Sequence, residues 1–290
     1  MANNKIKTSQ ESVPGTLYVV ATPIGNLEDS SARVVQTLSA VDLIACEDTR
    51  HSRKLCRYWN ISTPLFSYYR EREHERSEIL VNLLLSGKNV ALVSDAGTPA
   101  ICDPGAILVN KARVAGIKIV AIAGPSALTA SLSIAGLTDS RFFFGGFLPS
   151  RSAERKKFIK SISSLSYPLV FYETPHRIYD ALLDMADVLG ERHIQLLREL
   201  SKIHEEYLEG SIKDLAEQVK EGIKGELVLI VHPAVSTAFQ EPEGVEELIL
   251  WHRDELHSSL KDTVRSISSE LDIPRSSVYK LALTMWKKSD

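Results

Sequence analysis

Four short segments set small residues beside a carboxylate, a proline or an arginine: Thr22–Asn26 (TPIGN), Glu47–His51 (EDTRH), Ser94–Pro99 (SDAGTP) and Ala123–Ala127 (AGPSA). In the third, Asp95 can accept hydrogen bonds from hydroxyls or an amino group, and Gly97 lets the backbone approach a ligand closely. Taken alone, Val90–Pro104 reads equally well as an ordinary strand-to-helix turn, with Asp103 as cap and Pro104 at the first helical position. Asp48 has the same alternative, as the cap of the helix that follows it.

Common catalytic signatures are missing. The chain has no GxGxxG and no GxxxxGK[ST], so dinucleotide and P-loop chemistry lose their phosphate cradles. Gly124-Pro125-Ser126-Ala127-Leu128 lacks the closing glycine of a nucleophile elbow. His193, His204 and His232 stand without metal-ligand spacing, so no metal is expected. What remains is a pocket of small residues and backbone groups with one or two carboxylates. That suits a neutral, adenosine-like ligand better than a polyphosphate. A helix starting at Ser126 would offer N–H groups to a carboxylate, such as that of S-adenosylmethionine.

The elements that must position these loops follow from the apolar pattern. Leu17–Ala21, Val41–Cys46, Pro64–Tyr69, Val90–Val93 and Ile117–Ala123 read as strands. The intervening helices include one capped at Ser30 or Ser31, one ending near Trp59, and one carrying Ile79, Leu80, Leu83 and Leu84 behind the charged run Arg70–Arg76. Strands alternating with helices imply parallel βαβ units, and in a parallel sheet the unusual loops share one edge. The character changes near Gly145-Gly146-Phe147. Strands at Leu169–Tyr172, His193–Leu197 and Glu226–Val231, with helices at Ile178–Leu189 and Ile212–Lys220, predict a second α/β layer with its own mixed sheet. Tyr207–Gly210 reads as the lead into the latter helix. Pro233–Gly244 has linker composition. Beyond it, Leu260–Leu271 and Ser276–Leu283 flank a tight turn at Asp272–Arg275, resembling a helix-turn-helix with Arg275, Lys280, Lys287 and Lys288 on or near the second helix; a helical cap is the alternative.

The 290 residues are 44% hydrophobic and 24% charged, a globular composition with room for two domains. The formal net charge of −3 does not advertise a nucleic-acid binder, but a local basic patch would suffice. Cys46, Cys56 and Cys102 are scattered, which fits buried thiols in a reducing compartment. The polar N-terminus and the absence of a span-length apolar run predict a soluble cytoplasmic chain with a loose first dozen residues.

The loops TPIGNLED, EDTR, SDAGTP, GPSA and FYETPHR, followed by the spaced residues of REL.K.HEE and GE.VL, occur in an order that resembles the tetrapyrrole (corrin/porphyrin) methylase class of S-adenosylmethionine-dependent methyltransferases. More narrowly, the chain is similar to the small-subunit ribosomal RNA methyltransferase I family over residues 15–285. The resemblance implies an α/β fold of two domains, 15–144 and 145–233, with the cofactor cleft between them. The termini would be a flexible segment 1–14, a linker 234–243 and a helical tail 244–290. This is not the Rossmann-like methyltransferase fold. The resemblance further implies a homodimer that 2′-O-methylates the ribose of a cytidine in the decoding region of 16S rRNA, with the rRNA or the small ribosomal subunit as partner. A methylase of the same fold acting on a small tetrapyrrole or a protein, and a non-enzymatic RNA-binding module, are the competing readings.

Carried over residue by residue, the cofactor site comprises Pro23, Ser94, Asp95, Gly97, Thr98, Ser126 and Ala127, with Tyr172 and Arg198 closing from the second domain. The class motif Gly-Asp-Pro reads Ser94-Asp95-Ala96 here. The base that takes the ribose proton comes from Glu47, Asp48, Glu173 or Lys202, with Glu173 and Lys202 favoured. Arg50, Arg53 and Lys54 on one helix, Arg151, Arg155 and Lys156 on another, and Arg177 are the candidate RNA contacts.

Overall fold

The computed structural model describes residues 13–234, 244–271 and 273–286. The expected loose N-terminus, most of the linker, Asp272, Lys287 and Lys288 lie outside them. The chain divides into two compact units, one running to Pro233 and one from Ala234.

The larger unit holds two sheets. The first takes β1 (Thr16–Val20), α1 (Ala32–Ala40), β2 (Leu43–Cys46), α2 (Thr49–Tyr58), β3 (Leu65–Ser67), α3 (Glu73–Leu85), β4 (Val90–Val93), α4 (Ala106–Val114), β5 (Lys118–Ile122) and α5 (Ala127–Ile134). Its strand order is β3-β2-β4-β1-β5 and every pairing is parallel. The central strand β4 is buried at all four positions, which is why it is written VALV without alternation. One face packs Val34, Leu38 and Ile61, the other Leu80, Leu84 and Leu108.

The second sheet takes β6 (Phe143–Phe147), α6 (Ser152–Ile162), β7 (Leu169–Glu173), α7 (Ile178–Leu189), β8 (His193–Arg198), β9 (Glu206–Ser211), α8 (Ile212–Val219) and β10 (Leu227–Val231). Its order is β6-β7-β10-β8-β9. Only β6–β7 is parallel, so the sheet is mixed. Ile159, Phe171, Met185, Leu196 and Leu229 fill its helix-covered face. The other face receives α5: Leu128, Leu132 and Ala135 pack with Val170, Leu197, Val228 and Ile230. This apolar helix is therefore the joint between the two sheets.

Some elements differ from expectation. Tyr207–Gly210 is not a lead-in but part of the edge strand β9. β6 was not anticipated, because its FFGGF sequence carries two glycines and a bulge between Phe144 and Phe147. α4 starts at Ala106 with Gly105 as its N-cap, so Asp103 and Pro104 lie in the preceding loop and neither caps nor opens the helix. Asp48, by contrast, caps α2 by accepting the Arg50 N–H.

The smaller unit packs α9 (Val245–Asp254), α10 (Leu260–Glu270) and α11 (Arg275–Trp286) around Ile249, Val264, Ile267, Val278 and Ala282. The anticipated helix pair is thus completed by a third helix.

Candidate functional site

The carboxyl ends of β1, β4 and β5 carry the TPIGN, SDAGTP and AGPSA loops to one edge of the first sheet. Thr22 and Gly97 exchange backbone hydrogen bonds of 2.8 and 3.0 Å, which lock the first two loops together. Gly97 has a φ of +74°, in the left-handed region that favours glycine. Facing this edge are the ends of β7 and β10. Between them lies a cleft of about 330 Å³.

One wall of the cleft consists of Ile24, Asp95–Thr98, Ile101–Asp103, Ser126 and Ala127. The other is Phe147, Tyr172–Pro175, Leu200 and Glu226–Val228. Of the expected cofactor residues, Asp95, Gly97, Thr98, Ser126, Ala127 and Tyr172 line it. Three do not. Pro23 is buried, and the Ser94 hydroxyl is turned back onto the carbonyls of Ala96 and Gly97. Arg198 points away, paired with Glu206 at 2.7 Å and with the Lys224 carbonyl. Its cross-strand neighbour on β9 supplies the carboxylate that draws it off. Cys102, Asp103, Phe147, Leu200 and Glu226 line the cleft without having been singled out for it. Asp103 was visible, but its place before a proline disguised it as a cap.

The lining is chemically graded. Ile24, Leu200, Leu227 and Val228 form an apolar pocket that can take a flat aromatic group and exclude water. Asp95 and Asp103 supply acceptors for hydroxyl or ammonium groups. Burial pushes the Asp103 carboxyl above its usual range, assisted by Asp95 and opposed by the Ser94 hydroxyl. Glu47 is raised as well, by burial and then by Asp103 and Asp95. Ser126 leads into α5, and the Tyr172 hydroxyl accepts the Leu128 N–H at 3.1 Å. An adenosyl group with a charged amino-acid tail fits such a set: apolar walls, hydroxyl acceptors and a helix start.

Glu173 is the buried carboxylate of the opposite wall, with its side chain wholly sequestered. Oε1 accepts the Thr174 N–H at 2.8 Å, and Oε2 faces Arg177 at 3.3 Å. Burial outweighs these contacts and holds its pKa above the ordinary carboxylate range. A carboxylate held above its ordinary range is a stronger base than a free one. Lys202 does not line the cleft. Its ammonium sits between Glu199 at 2.8 Å and Glu226 at 2.9 Å. Burial works against its charge, but the two carboxylates outweigh that and raise its pKa. Its ammonium is tied to the cleft residue Glu226 and is held in its charged form, which is the reverse of what a base needs.

The basic residues separate into two groups. Arg50, Arg53, Lys54 and Arg57 are exposed on α2, and Arg151 is exposed at the start of α6. Arg155 is 3% exposed and forms a buried pair with Asp184 at 2.6 Å, while also donating to the Pro149 and Ser150 carbonyls. It is a core cation, and the expectation of RNA contact at Arg155 is corrected. Lys156 is half-exposed and bridges Asp184 and Asp187. Arg177 donates to the Leu148 and Pro149 carbonyls and to Glu173, and its side chain is 30% exposed. Among the described residues, no group of three or more side chains is arranged to hold a metal ion, and no helix is long and apolar enough to cross a membrane.

A family profile for Tetrapyrrole (Corrin/Porphyrin) Methylases matches residues 16–216. A Vibrio cholerae protein named ribosomal RNA small subunit methyltransferase I is 46% identical over 232 residues, covering 78% of this chain and 81% of that one. The Synechocystis protein of the same name is 40% identical, over 93% of this chain and 98% of its own. The chain belongs to the ribosomal RNA small subunit methyltransferase I family. It is a methyltransferase of tetrapyrrole methylase fold that uses S-adenosylmethionine. The fold recurs in the crystal structure of diphthine synthase, with a TM-score of 0.60 and 16% identity, covering 75% of this chain and 89% of that one. It recurs also in uroporphyrin-III C-methyl transferase from Thermus thermophilus complexed with S-adenyl homocysteine, with a TM-score of 0.54, 16% identity and coverage of 78% and 100%.

Proposed function

We propose that this member of the family 2′-O-methylates the ribose of a cytidine in the decoding region of 16S rRNA, with the cleft between the sheets as its cofactor site. The observation that carries the reading is the bond from the Asp48 N–H to Asp95 Oδ1, at 3.2 Å. It ties the start of the basic helix α2 to a cleft-lining carboxylate. A polyanion lying along Arg50, Arg53, Lys54 and Arg57 is thereby led to the mouth of the cleft.

In this reading Asp95, Gly97, Thr98, Ser126, Ala127 and Tyr172 hold the cofactor. When bound, the cofactor supplies an activated sulfonium methyl. The chain's work is then to bring the ribose 2′-oxygen into line, exclude water, and accept its proton. Glu173 is the residue that would accept that proton, at a carboxylate oxygen. Arg177 keeps Glu173 oriented, and Lys202 orders the far wall through Glu226. The halves 15–144 and 145–233 act as the two lobes of the site. The working assembly is a homodimer in the cytoplasm; the exposed Ile134 of the apolar helix α5 and the adjacent edge strand β5 fit such a contact.

The test is to incubate the protein with labelled S-adenosylmethionine and either naked 16S rRNA, small ribosomal subunits or a porphyrin precursor, and to map the label. Label on a cytidine ribose supports the reading. Label on the porphyrin alone overturns it.

A further inference from the structure

The charged turn Arg70–Arg76 contributes nothing to the cleft lining, yet two of its side chains reach into the loop that does. Glu73, the first residue of α3, is 9% exposed. Its Oε1 accepts the Gly105 N–H at 2.8 Å and the Ile107 N–H at 3.3 Å. These are N-terminal donors of α4, whose own N-cap is a glycine with no side chain to offer. The Tyr68 hydroxyl donates to the same oxygen at 3.1 Å and contacts the Ser77 hydroxyl at 2.9 Å. Arg70, three residues earlier, donates to the Cys102 carbonyl at 2.8 Å.

The loop so held is Asp95–Gly105, which leaves β4, supplies Asp95–Thr98 and Ile101–Asp103 to the cleft, and ends at α4. It is short of internal ties. Its backbone includes left-handed Gly97 and Ala100, and Gly105 at a φ of +146°. A Cβ on Gly105 would lie 2.8 Å from Leu92 Cδ2 and 3.0 Å from Ala100 Cβ. The chain is thus pressed against β4 at a position where no side chain could stand in for the missing cap. The acceptor comes instead from 32 residues upstream.

We infer that Glu73 and Arg70 form a clamp that sets the shape of the cofactor-lining loop, with Glu73 as the principal positioning residue for cofactor binding. The inference rests on the reading of the cleft as the S-adenosylmethionine site. A carboxylate that merely stabilised α4 would cost stability alike for every ligand. A clamp on this loop costs cofactor affinity first.

The experiment measures S-adenosylmethionine affinity calorimetrically and amide hydrogen exchange of the cofactor-free protein, for wild type, Glu73→Ala, Glu73→Gln, Arg70→Ala and Asp95→Ala. Glu73→Ala should weaken cofactor binding about tenfold, the scale of one lost charged hydrogen bond. It should speed exchange across residues 96–107, leaving the second-sheet strands and RNA affinity unchanged. Glu73→Gln keeps an acceptor at Oε1 and should restore most of the affinity. Arg70 is exposed, so Arg70→Ala will fold, and it should show a smaller loss in the same loop. If Glu73→Ala does not fold, the inference stands on the Arg70→Ala loss and fails without it. Wild-type cofactor affinity in Glu73→Ala, or exchange raised equally in both sheets, overturns the clamp. If Asp95→Ala also binds cofactor normally, the cleft reading falls with it. If Asp95→Ala binds weakly while Glu73→Ala does not, only the clamp falls.

Discussion

The Tyr172 hydroxyl accepts the Leu128 backbone N–H at 3.1 Å. A side chain of the second sheet thereby satisfies a first-turn donor of the helix that ends the first. Tyr172 also meets Phe144 and Phe147 edge-on, with ring centroids 5.1 and 5.7 Å away. It fixes the spacing of the cleft walls from both sides.

Replacing Tyr172 by Phe keeps the ring contacts and removes only the acceptor. A half-buried N–H left without a partner costs about 1–3 kcal/mol. For a unit of this size the Tm should fall by roughly 2–4 °C per kcal/mol. Cofactor affinity should weaken with it, because Ala127 and Ser126 follow the helix start. Scanning calorimetry with and without S-adenosylmethionine checks both parts. An unchanged Tm and affinity would mean that water or a neighbouring group replaces the acceptor.

Glu173 titrates above the ordinary carboxylate range because it is buried. It accepts a proton only when ionised, so turnover should fall as pH drops through its raised pKa. Glu173→Gln should lose about 10²–10⁴-fold in kcat and abolish that acid limb, with cofactor binding retained. Stability carries the opposite sign. The folded carboxyl binds its proton more tightly than the unfolded one, so its contribution is fully present below the unfolded pKa and is lost as pH rises through the folded pKa. Glu173→Gln should therefore remove a contribution that favours the folded state in acid over neutral solution. Denaturant titrations of both proteins across that window measure it.

Arg155 and Asp184 form an ion pair whose side chains are 4% and 9% exposed. Removing one partner strands the other, at about 3–5 kcal/mol. Asp184→Ala should approach that loss, whereas Arg155→Met with Asp184→Leu should recover most of it. Urea unfolding of the single and double variants decides the matter.

The exposed arginines predict the reverse profile. Arg53→Ala, Lys54→Ala and Arg151→Ala should leave the Tm unchanged, weaken RNA binding, and each lower the slope of log affinity against log salt by about 1. The Arg155–Asp184 double variant should leave that slope intact. A slope insensitive to the three exposed residues would remove α2 and the start of α6 from the RNA path.

The contrast between Arg155 and Arg53 marks where sequence reading stops. Both sit in basic runs at the start of a helix. Only the fold brings Asp184, from α7, against one of them. The inner strands β2 and β4 were legible because burial on both faces writes them as unbroken apolar runs. β9 was not, since an edge strand with Glu206 and Glu209 carries no such run. β6 hid behind its glycines. Within the site, the loops at the ends of β1, β4 and β5 were found from their residue types. Arg198 and Lys202 stand near the cleft in the chain order, but Glu206 in one case and Glu199 with Glu226 in the other turn them away. Phe147 and Leu200 line the cleft as plain hydrophobic residues, which nothing in a single sequence separates from core.

The order β6-β7-β10-β8-β9 bears on how the protein is made. The middle strand of the second sheet, Leu227–Val231, is the last of its five to be synthesised. A nascent chain that has passed Ile122 already owns every strand of the first sheet. One halted before Leu227 holds β6–β7 and β8–β9 as two ribbons with nothing between them. Glu226, Leu227 and Val228 of the cleft arrive with that same strand. The cleft is thus incomplete in every shorter translation product, and a prematurely released chain is left with two open strand edges.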